Sequence, residues 1–564
     1  MKRFWILLVI LAVAAVATIR LVADDDRNGS PGTATPARGS DAQTSFLREA
    51  CALPAEWARY VYRGWNPGRS RDWDLAAVPT EGNWFGSFQT TSHSGPYPHL
   101  QEVPLAFYGP GFIESQGELD LEREVTLADL PATYSELMDF DRPRHDGSVL
   151  EEVLKTSVEP PRLIVTLVID GGGWNVLETM PGAWPNLAGL MEQGSSIEGA
   201  VVGSSPSITP AVHTTLATGT WPNEHGVMAI VARADDGAIV SGFANEAYLA
   251  SAEAADPTIN LDATTLADDW DLATDNAAEI AMVASQNFHL GMIGHGSSLE
   301  GADKDIAAMT EERAWATNPR YFSLPDYINH GVEGPQEDLE TVDLADGEAD
   351  GKWRGHGFFR IDATPAYSEW ETRVLEAIIR QEGFGDDPIT DLFYINYKAP
   401  DAAGHKWNMI APEQRDVVAS VDEAIGDVVD FLDREVGQNN YVLVVTADHG
   451  QTPLDSGGWP ISQAEVKRDV EKRFDHEDNG RGILERTSTA LYFMNREEME
   501  ANGLTPEEVA SFLTGYTIGE NLPDGADPPE GYEERLDNRV FSAVIPGRQM
   551  PAVAECTGAL TDLN

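Results

Sequence analysis

Apolar residues along the chain fall into short unbroken runs separated by polar, glycine-rich stretches. RLIVTLVID (162–170) is apolar at nearly every position and ends on Asp170 followed by Gly171, Gly172 and Gly173. A strand that is apolar on both faces belongs inside a parallel sheet. DLFYINYKAPDAAGH (391–405) and YVLVVTADHG (441–450) repeat the form, each a strand running into a polar loop. TALYFM (489–494) reads as a fourth strand. Between them, PNLAGLMEQG (185–194) reads as a helix closed by Gly194, and residues 411–436 carry a long helical period. Strands alternating with helices predict an α/β fold with a mostly parallel central sheet flanked by helices. Residues 228–390 are less regular, rich in Trp, Asp and Gly, and are expected to hold an inserted cap. One further apolar run stands far upstream. In TTSHSGPYPHLQEVPLAFYGPG (90–111) a polar loop around His93 leads into Val103 to Phe107 and stops at Gly-Pro-Gly.

Composition narrows the possibilities. The 564 residues are 42% hydrophobic and 9% aromatic, enough for a large packed core. The formal charge of −55, from 93 acidic and 38 basic side chains, repels a polyanion, so duplex nucleic acid is excluded as a partner. Lys2 and Arg3 followed by an almost wholly apolar stretch from Phe4 to Ile19 read as a signal peptide or an uncleaved anchor over residues 1–23. The body is then secreted, or extracytoplasmic and anchored, with any membrane contact made through that segment. Residues 24–44 read as a flexible linker. The two cysteines, Cys51 and Cys556, stand near opposite ends of the body. In an exported protein they are expected to form a disulfide, the alternative being two free thiols.

In parallel α/β sheets the site lies beyond the carboxyl ends of the strands. Three predicted strand ends here carry Asp170, then Asp401 with His405, then Asp448 with His449. A single Asp at such a place is a turn former or helix cap. Three ends with mixed carboxylates and imidazoles suit zinc or a similar transition metal. In SPSITPAVHTTLATG, Thr209 precedes Pro210 at the start of a short predicted helix. It reads as an N-cap, and equally as a hydroxyl held where backbone N–H groups can bind a phosphate oxygen.

The segments VIDGGGWNVL, WPNLAGLMEQG, SPSITPAVHTTLATGTWPNEHG, APDAAGHKW and VVTADHGQTP together resemble the alkaline phosphatase superfamily, and within it the type I phosphodiesterase / nucleotide pyrophosphatase group. The resemblance covers roughly residues 160–500. It implies an α/β sandwich around two Zn2+ ions (Mn2+ being the alternative) and hydrolysis of a small phosphate ester through a phospho-threonine. Thr209 would be the nucleophile. Asp170, Asp448 and His449 would hold one metal together with Thr209. Asp401 and His405 would hold the other, which needs one more histidine.

In the family that histidine comes late in the chain. Downstream of His449 this sequence offers only His476, in a charged stretch with no strand after it. TTSHSGPYPHLQEVPLAFYGPGF and VTLADLPATYSELMDF (125–140) resemble the family's C-terminal block instead. The resemblance thus implies a circular permutation. Residues 45–158 would complete a catalytic core made of 159–227 and 391–564, His93 would be the missing ligand, and a Cys51–Cys556 bridge would join the new ends. His476 is the alternative ligand. His99 is expected to be a supporting or surface residue, and His213, His225, His289 and His295 structural ones. Where the family places a phosphate-binding Asn this chain has Ile230, so Arg233 and Lys398 are the candidate substrate-binding groups. The competing functions are a phosphomonoesterase on the same metals, a sulfatase, for which SPSIT lacks the expected arginine, and a non-enzymatic extracellular binding protein. Oligomeric state is not legible in the sequence.

Overall fold

The computed structural model describes residues 45–561, apart from 67–72, 87–89, 143–144, 157–158, 235, 244–258, 312, 346, 359, 454–456 and 478. The expected signal or anchor segment and the linker lie outside the described residues. Among the described residues no helix is long and apolar enough to cross a membrane.

The apolar runs become the middle of one nine-stranded sheet. Its centre is five parallel strands in the order Ile306–Glu311, Ile280–Ala284, Asp391–Tyr397, Leu163–Ile169 and Tyr441–Ala447. Leu105–Tyr108 follows antiparallel, then Ser195–Ile197 and Gly117–Leu119; Ala314–Ala316 closes the opposite edge. Every residue of the 163–169, 391–397 and 441–447 strands is buried, as runs apolar on both faces require. A one-residue slip would break this pairing, so the register is firmly set. Helices Pro185–Gln193, Pro365–Glu382 and Ala399–Trp407 all pack on the long Pro412–Glu435 helix, while Asp129–Leu137 and Leu266–Ala273 pack on Thr209–Thr218.

That register positions the site. Ile169 lies opposite Tyr397 on one side and Ala447 on the other. The next residues, Asp170, Lys398 and Asp448, therefore leave three adjacent strands at one level. The 105–108 strand runs the other way, with Leu105 opposite Thr446. The loop that precedes it, which carries His93, thus arrives at the carboxyl end of its neighbours.

Two expectations are corrected. The 228–390 stretch is not simply a cap: Ile280–Ala284, Ile306–Glu311 and Ala314–Ala316 extend the main sheet. Their short, alanine-rich runs carry no period that separates strand from helix. The strand expected at 489–494 is Leu491–Met494, and it belongs to a separate antiparallel sheet ordered Leu484–Ser488, Leu491–Met494, Leu75–Pro79 and Phe541–Pro546.

In that second sheet the N-terminal Leu75–Pro79 lies between two strands from the end of the chain. Cys51 and Cys556 are bonded, with Cα atoms 5.5 Å apart across 505 residues of sequence. Closing so long a loop removes unfolded-state freedom, and replacing both cysteines by alanine is expected to cost about 2–4 kcal/mol. A lowered denaturant midpoint, with a slope that rises as the uncrosslinked unfolded chain expands, is the result that checks it.

Candidate functional site

The turn after Asp170 sets the geometry. Gly171 has a φ of +68°, and a Cβ there would lie 3.0 Å from the Cα of Asp401, so the loop and the Ala399–Trp407 helix meet as only glycine allows. The Gly171 amide donates to Asp448 Oδ1 at 2.9 Å. Asp401 and His405 stand four residues apart on one face of that helix, and His405 Nε2 reaches Asp401 Oδ1 at 3.1 Å. His93 Nε2 lies 3.5 Å from the same oxygen. His93, Asp401 and His405 thus present three ligand atoms within 4.8 Å of one another, as do Asp170, Asp401 and His449. His449 Nε2 lies 3.4 Å from Asp448 Oδ2 and 3.8 Å from Asp170 Oδ1. The structure brings together Asp170, Asp401, His405, Asp448, His449 and His93. His476 is exposed, and its backbone amide bonds to Asn502.

The three imidazoles are oriented alike. Their Nδ1 atoms face backbone carbonyls, His93 that of Ser207 at 2.8 Å, His405 that of Thr91 at 2.8 Å and His449 that of Gly450 at 3.0 Å. An Nδ1–H donated to a carbonyl leaves Nε2 as the lone-pair end, directed inward. His449 Nε2, Asp401 Oδ1 and Asp448 Oδ2 are buried without a hydrogen-bond partner. Orphaned lone pairs on nitrogen and oxygen, pointed at one space, fit a metal ion of zinc-like preference.

The charges agree. Burial, reinforced by Asp448, pushes the Asp170 carboxyl well above its usual range, and burial lifts Asp448 to about 7. Asp401 goes the other way: burial opposes its charge, but His405 and Lys398 hold it well below the ordinary value. Burial pushes His449 down to about 3 and His93 well below its usual pKa, so both rings are neutral at pH 7, as a metal ligand must be.

Thr209 opens the Thr209–Thr218 helix but does not cap it. The N-cap position belongs to Ile208, with no side-chain cap bond. The hydroxyl is thereby left to face Asp448, whose raised pKa it eases less than Lys398 and the Gly171 amide do. Thr209 is 4% exposed.

The two candidate substrate-binding cations differ. Lys398 is in the site, its ammonium 3.0 Å from Asp170 Oδ1 and 2.7 Å from Asp401 Oδ2. Arg233 is engaged elsewhere. It pairs with Asp74 and Glu485 at 3.1 Å each and donates to the Met494 carbonyl at 2.9 Å, which ties the Val231–Arg233 strand to the second sheet. A guanidinium committed to those partners is a structural group. Arg233→Met is expected to lower stability by about 1–3 kcal/mol, through the half-buried Asp74 carboxylate that loses its nearest cation, with kcat unchanged.

Sequence reasoning missed several contributors. Asn396 donates to Asp170 Oδ2 at 3.0 Å; an amide inside the apolar strand DLFYINY was its visible trace. His213 lies 3.6 Å from Asp448 Oδ2 and faces His289, Nδ1 to Nδ1, at 2.9 Å, and His289 in turn meets Ser285 at 3.0 Å. Arg360 feels the charge of Asp401, after that of its partner Asp362, and nothing in its sequence context marks it.

His225 is structural, as expected. Its Nδ1 accepts from the Val227 amide at 3.1 Å, its Nε2 meets Thr215 at 3.1 Å, and burial lowers its pKa to about 3. Between pH 6.5 and 3 the unfolded chain binds a proton here that the folded chain does not. Stability is therefore expected to fall by about 1.4 kcal/mol per pH unit on acidification through this window, per such histidine. Denaturant titrations of the wild type and His225→Gln across it check the slope.

With this geometry in place, a family model described as type I phosphodiesterase / nucleotide pyrophosphatase matches residues 164–539. The chain belongs to that family. As a member of the type I phosphodiesterase / nucleotide pyrophosphatase family it lies within the alkaline phosphatase superfamily. It is 22% identical over 347 residues to alkaline phosphatase PafA of Elizabethkingia meningoseptica, covering 52% of this chain and 61% of that protein. It is 21% identical over 356 residues to alkaline phosphatase PhoV of Synechococcus elongatus, covering 55% and 62%. The chain therefore spans less than two thirds of the length of these two relatives. The crystal structure of wild-type PafA aligns with a TM-score of 0.49 and 17% identity, over 69% of this chain and 85% of that one.

Proposed function

We propose that this protein is an exported hydrolase of small phosphate esters that works through Thr209 at a two-zinc centre. One metal would be held by Asp170, Asp448, His449 and Thr209, the other by His93, Asp401 and His405. Zinc in these places supplies Lewis-acid stabilisation of phosphoryl oxygens and lowers the pKa of bound hydroxyls. The observation that carries the reading is the set of inward-facing, partnerless lone pairs on Asp401, Asp448 and His449, gathered beside the Thr209 hydroxyl.

The chain's own residues then have defined tasks. Asp448 accepts the Thr209 hydroxyl and orients its oxygen. That oxygen gives up its proton and attacks phosphorus in line, the bond to the leaving oxygen breaks, and the leaving oxygen takes a proton from solvent and departs as an alcohol. Water then attacks the phosphorylated threonine, releasing a phosphomonoester from a diester substrate (or phosphate from a monoester) and restoring the hydroxyl. The Thr209–Thr218 helix directs its N-terminal partial positive charge at the phosphoryl oxygens. The carbonyls of Ser207, Thr91 and Gly450 keep the imidazoles in the tautomer that this arrangement needs.

The histidine-bearing block at residues 45–158 takes the place of a C-terminal block in a circularly permuted order. Three observations support this. The family match begins at residue 164. The 105–108 strand pairs directly with 441–447. The Cys51–Cys556 bridge joins the two ends of the body.

Lys398 and Arg233 are both engaged with carboxylates, which favours a singly charged phosphodiester. Arg360 favours a second reading. Its side chain is 55% exposed and paired with Asp362 near the field of Asp401, so it would meet the second charge of a monoester once that exposed pair opens. Turnover of a chromogenic diester and its matching monoester by the zinc-loaded protein separates the two. Diester preference that Arg360→Ala leaves unchanged supports the phosphodiesterase. Monoester preference lost in Arg360→Ala supports the phosphatase. Turnover of neither, in protein holding both metals, contradicts the proposal.

A further inference from the structure

Away from the catalytic centre the fold assembles a second group of acids. Asp271 lies near the end of the Leu266–Ala273 helix, and Asp303 and Asp305 lie in the loop that leads into the Ile306–Glu311 strand. One carboxylate oxygen from each comes within 4.8 Å of the others. Acidic clusters on an acidic protein carry no meaning alone. Asp271 adds the second observation: it is 2% exposed, and neither of its oxygens has a hydrogen-bond partner of normal geometry. The Asp303 amide approaches and eases its charge only in part.

Among the described residues no basic group is a leading influence on Asp305. Burial pushes Asp305 well above its ordinary range, and the next largest influences on it are the carboxylates of Asp271, Asp268, Asp303 and Glu279. Asp268 is already occupied by the amides of Thr265 and His295 and by the His295 ring. Lys304, between the two loop acids, turns its ammonium onto the Pro319 carbonyl at 2.5 Å. The helix and the loop are also joined through Asn276, whose amide bonds to the Asp271 carbonyl at 2.9 Å and whose side chain donates to the Gly301 carbonyl at 3.1 Å.

We propose that Asp271, Asp303 and Asp305 form a calcium site that clamps the Leu266–Ala273 helix to the loop before the Ile306–Glu311 strand. The donors are all oxygen, which suits a hard divalent cation rather than zinc. An irregular helix-end-plus-loop arrangement, with Asp303 exposed to water, suits the variable six- to eight-fold coordination of calcium. Magnesium requires a near-regular octahedron and gives up its waters reluctantly.

The test is calorimetric titration of the full-length, zinc-loaded protein with calcium, together with its melting midpoint in calcium and in chelator. The expected result is one saturable site above weak surface binding, and an upward shift of the midpoint in calcium. Asp271→Asn is expected to lose both. Asp303→Ala, at an exposed position, is expected to fold and to weaken binding at least about tenfold, with phosphoester turnover unchanged. Absence of a saturable site in the wild type overturns the proposal. That result would mean the carboxyls share protons instead. A site that survives Asp303→Ala overturns it too, as does magnesium binding as tight as calcium. If Asp271→Asn does not fold, Asp303→Ala decides.

Discussion

Thr209→Ala is expected to lower phosphoester turnover by about a thousandfold or more while the metal content stays at the wild-type level. Its hydroxyl faces Asp448, and the proposal makes its oxygen the attacking one. The other ligands proposed for that metal, Asp170, Asp448 and His449, are untouched by the substitution. Thr209→Ser keeps an oxygen at the same place and is expected to retain measurable turnover. The two substitutions separate chemistry from folding, because Thr209 opens a helix without capping it. Metal analysis beside steady-state kinetics checks both. Loss of metal together with activity would instead make Thr209 chiefly a ligand.

His93→Ala is expected to remove one metal from the centre and to lower turnover more than about a hundredfold, since even the hydrogen-bond partners of metal ligands are worth ten- to a hundredfold. Asp401 and His405 alone would be left on that side, two donors where a stable zinc site uses three or four. His476→Ala is the control, and is expected to change neither quantity, because His476 is exposed and its backbone amide bonds to Asn502, away from the centre. Equal metal content in wild type and His93→Ala would remove His93 from the centre.

How far the sequence carried this account depends on the kind of information each part needs. Asp170, Asp401, His405, Asp448 and His449 were legible because each follows an apolar run, and aligned parallel strands deliver the residues beyond their ends to one place. His93 was legible through its resemblance to a family block. Why it reaches the site is a matter of direction: its strand runs antiparallel to 441–447, so the preceding loop lands at the same end. Arg233 misled because charge in a sequence says nothing of its partners. Asp74 and Glu485, which engage it, lie more than 150 and 250 residues away. The 280–284 and 306–311 strands were hidden by their brevity and alanine content. The second sheet was hidden because it interleaves strands from opposite ends of the chain, a pairing that no local pattern records. The His213–His289 pair depends on two rings 76 residues apart, and Asn396 on a strand neighbour.

The central claim is that phosphate is transferred to Thr209. It is tested most directly by acid-quenching the zinc-loaded protein during turnover and mapping the phosphorylated residue by mass spectrometry. The account predicts one phosphorylated site, Thr209, lost in Thr209→Ala. Phosphate on another residue, or steady turnover with no phosphorylated protein trapped at any quench time, would contradict it.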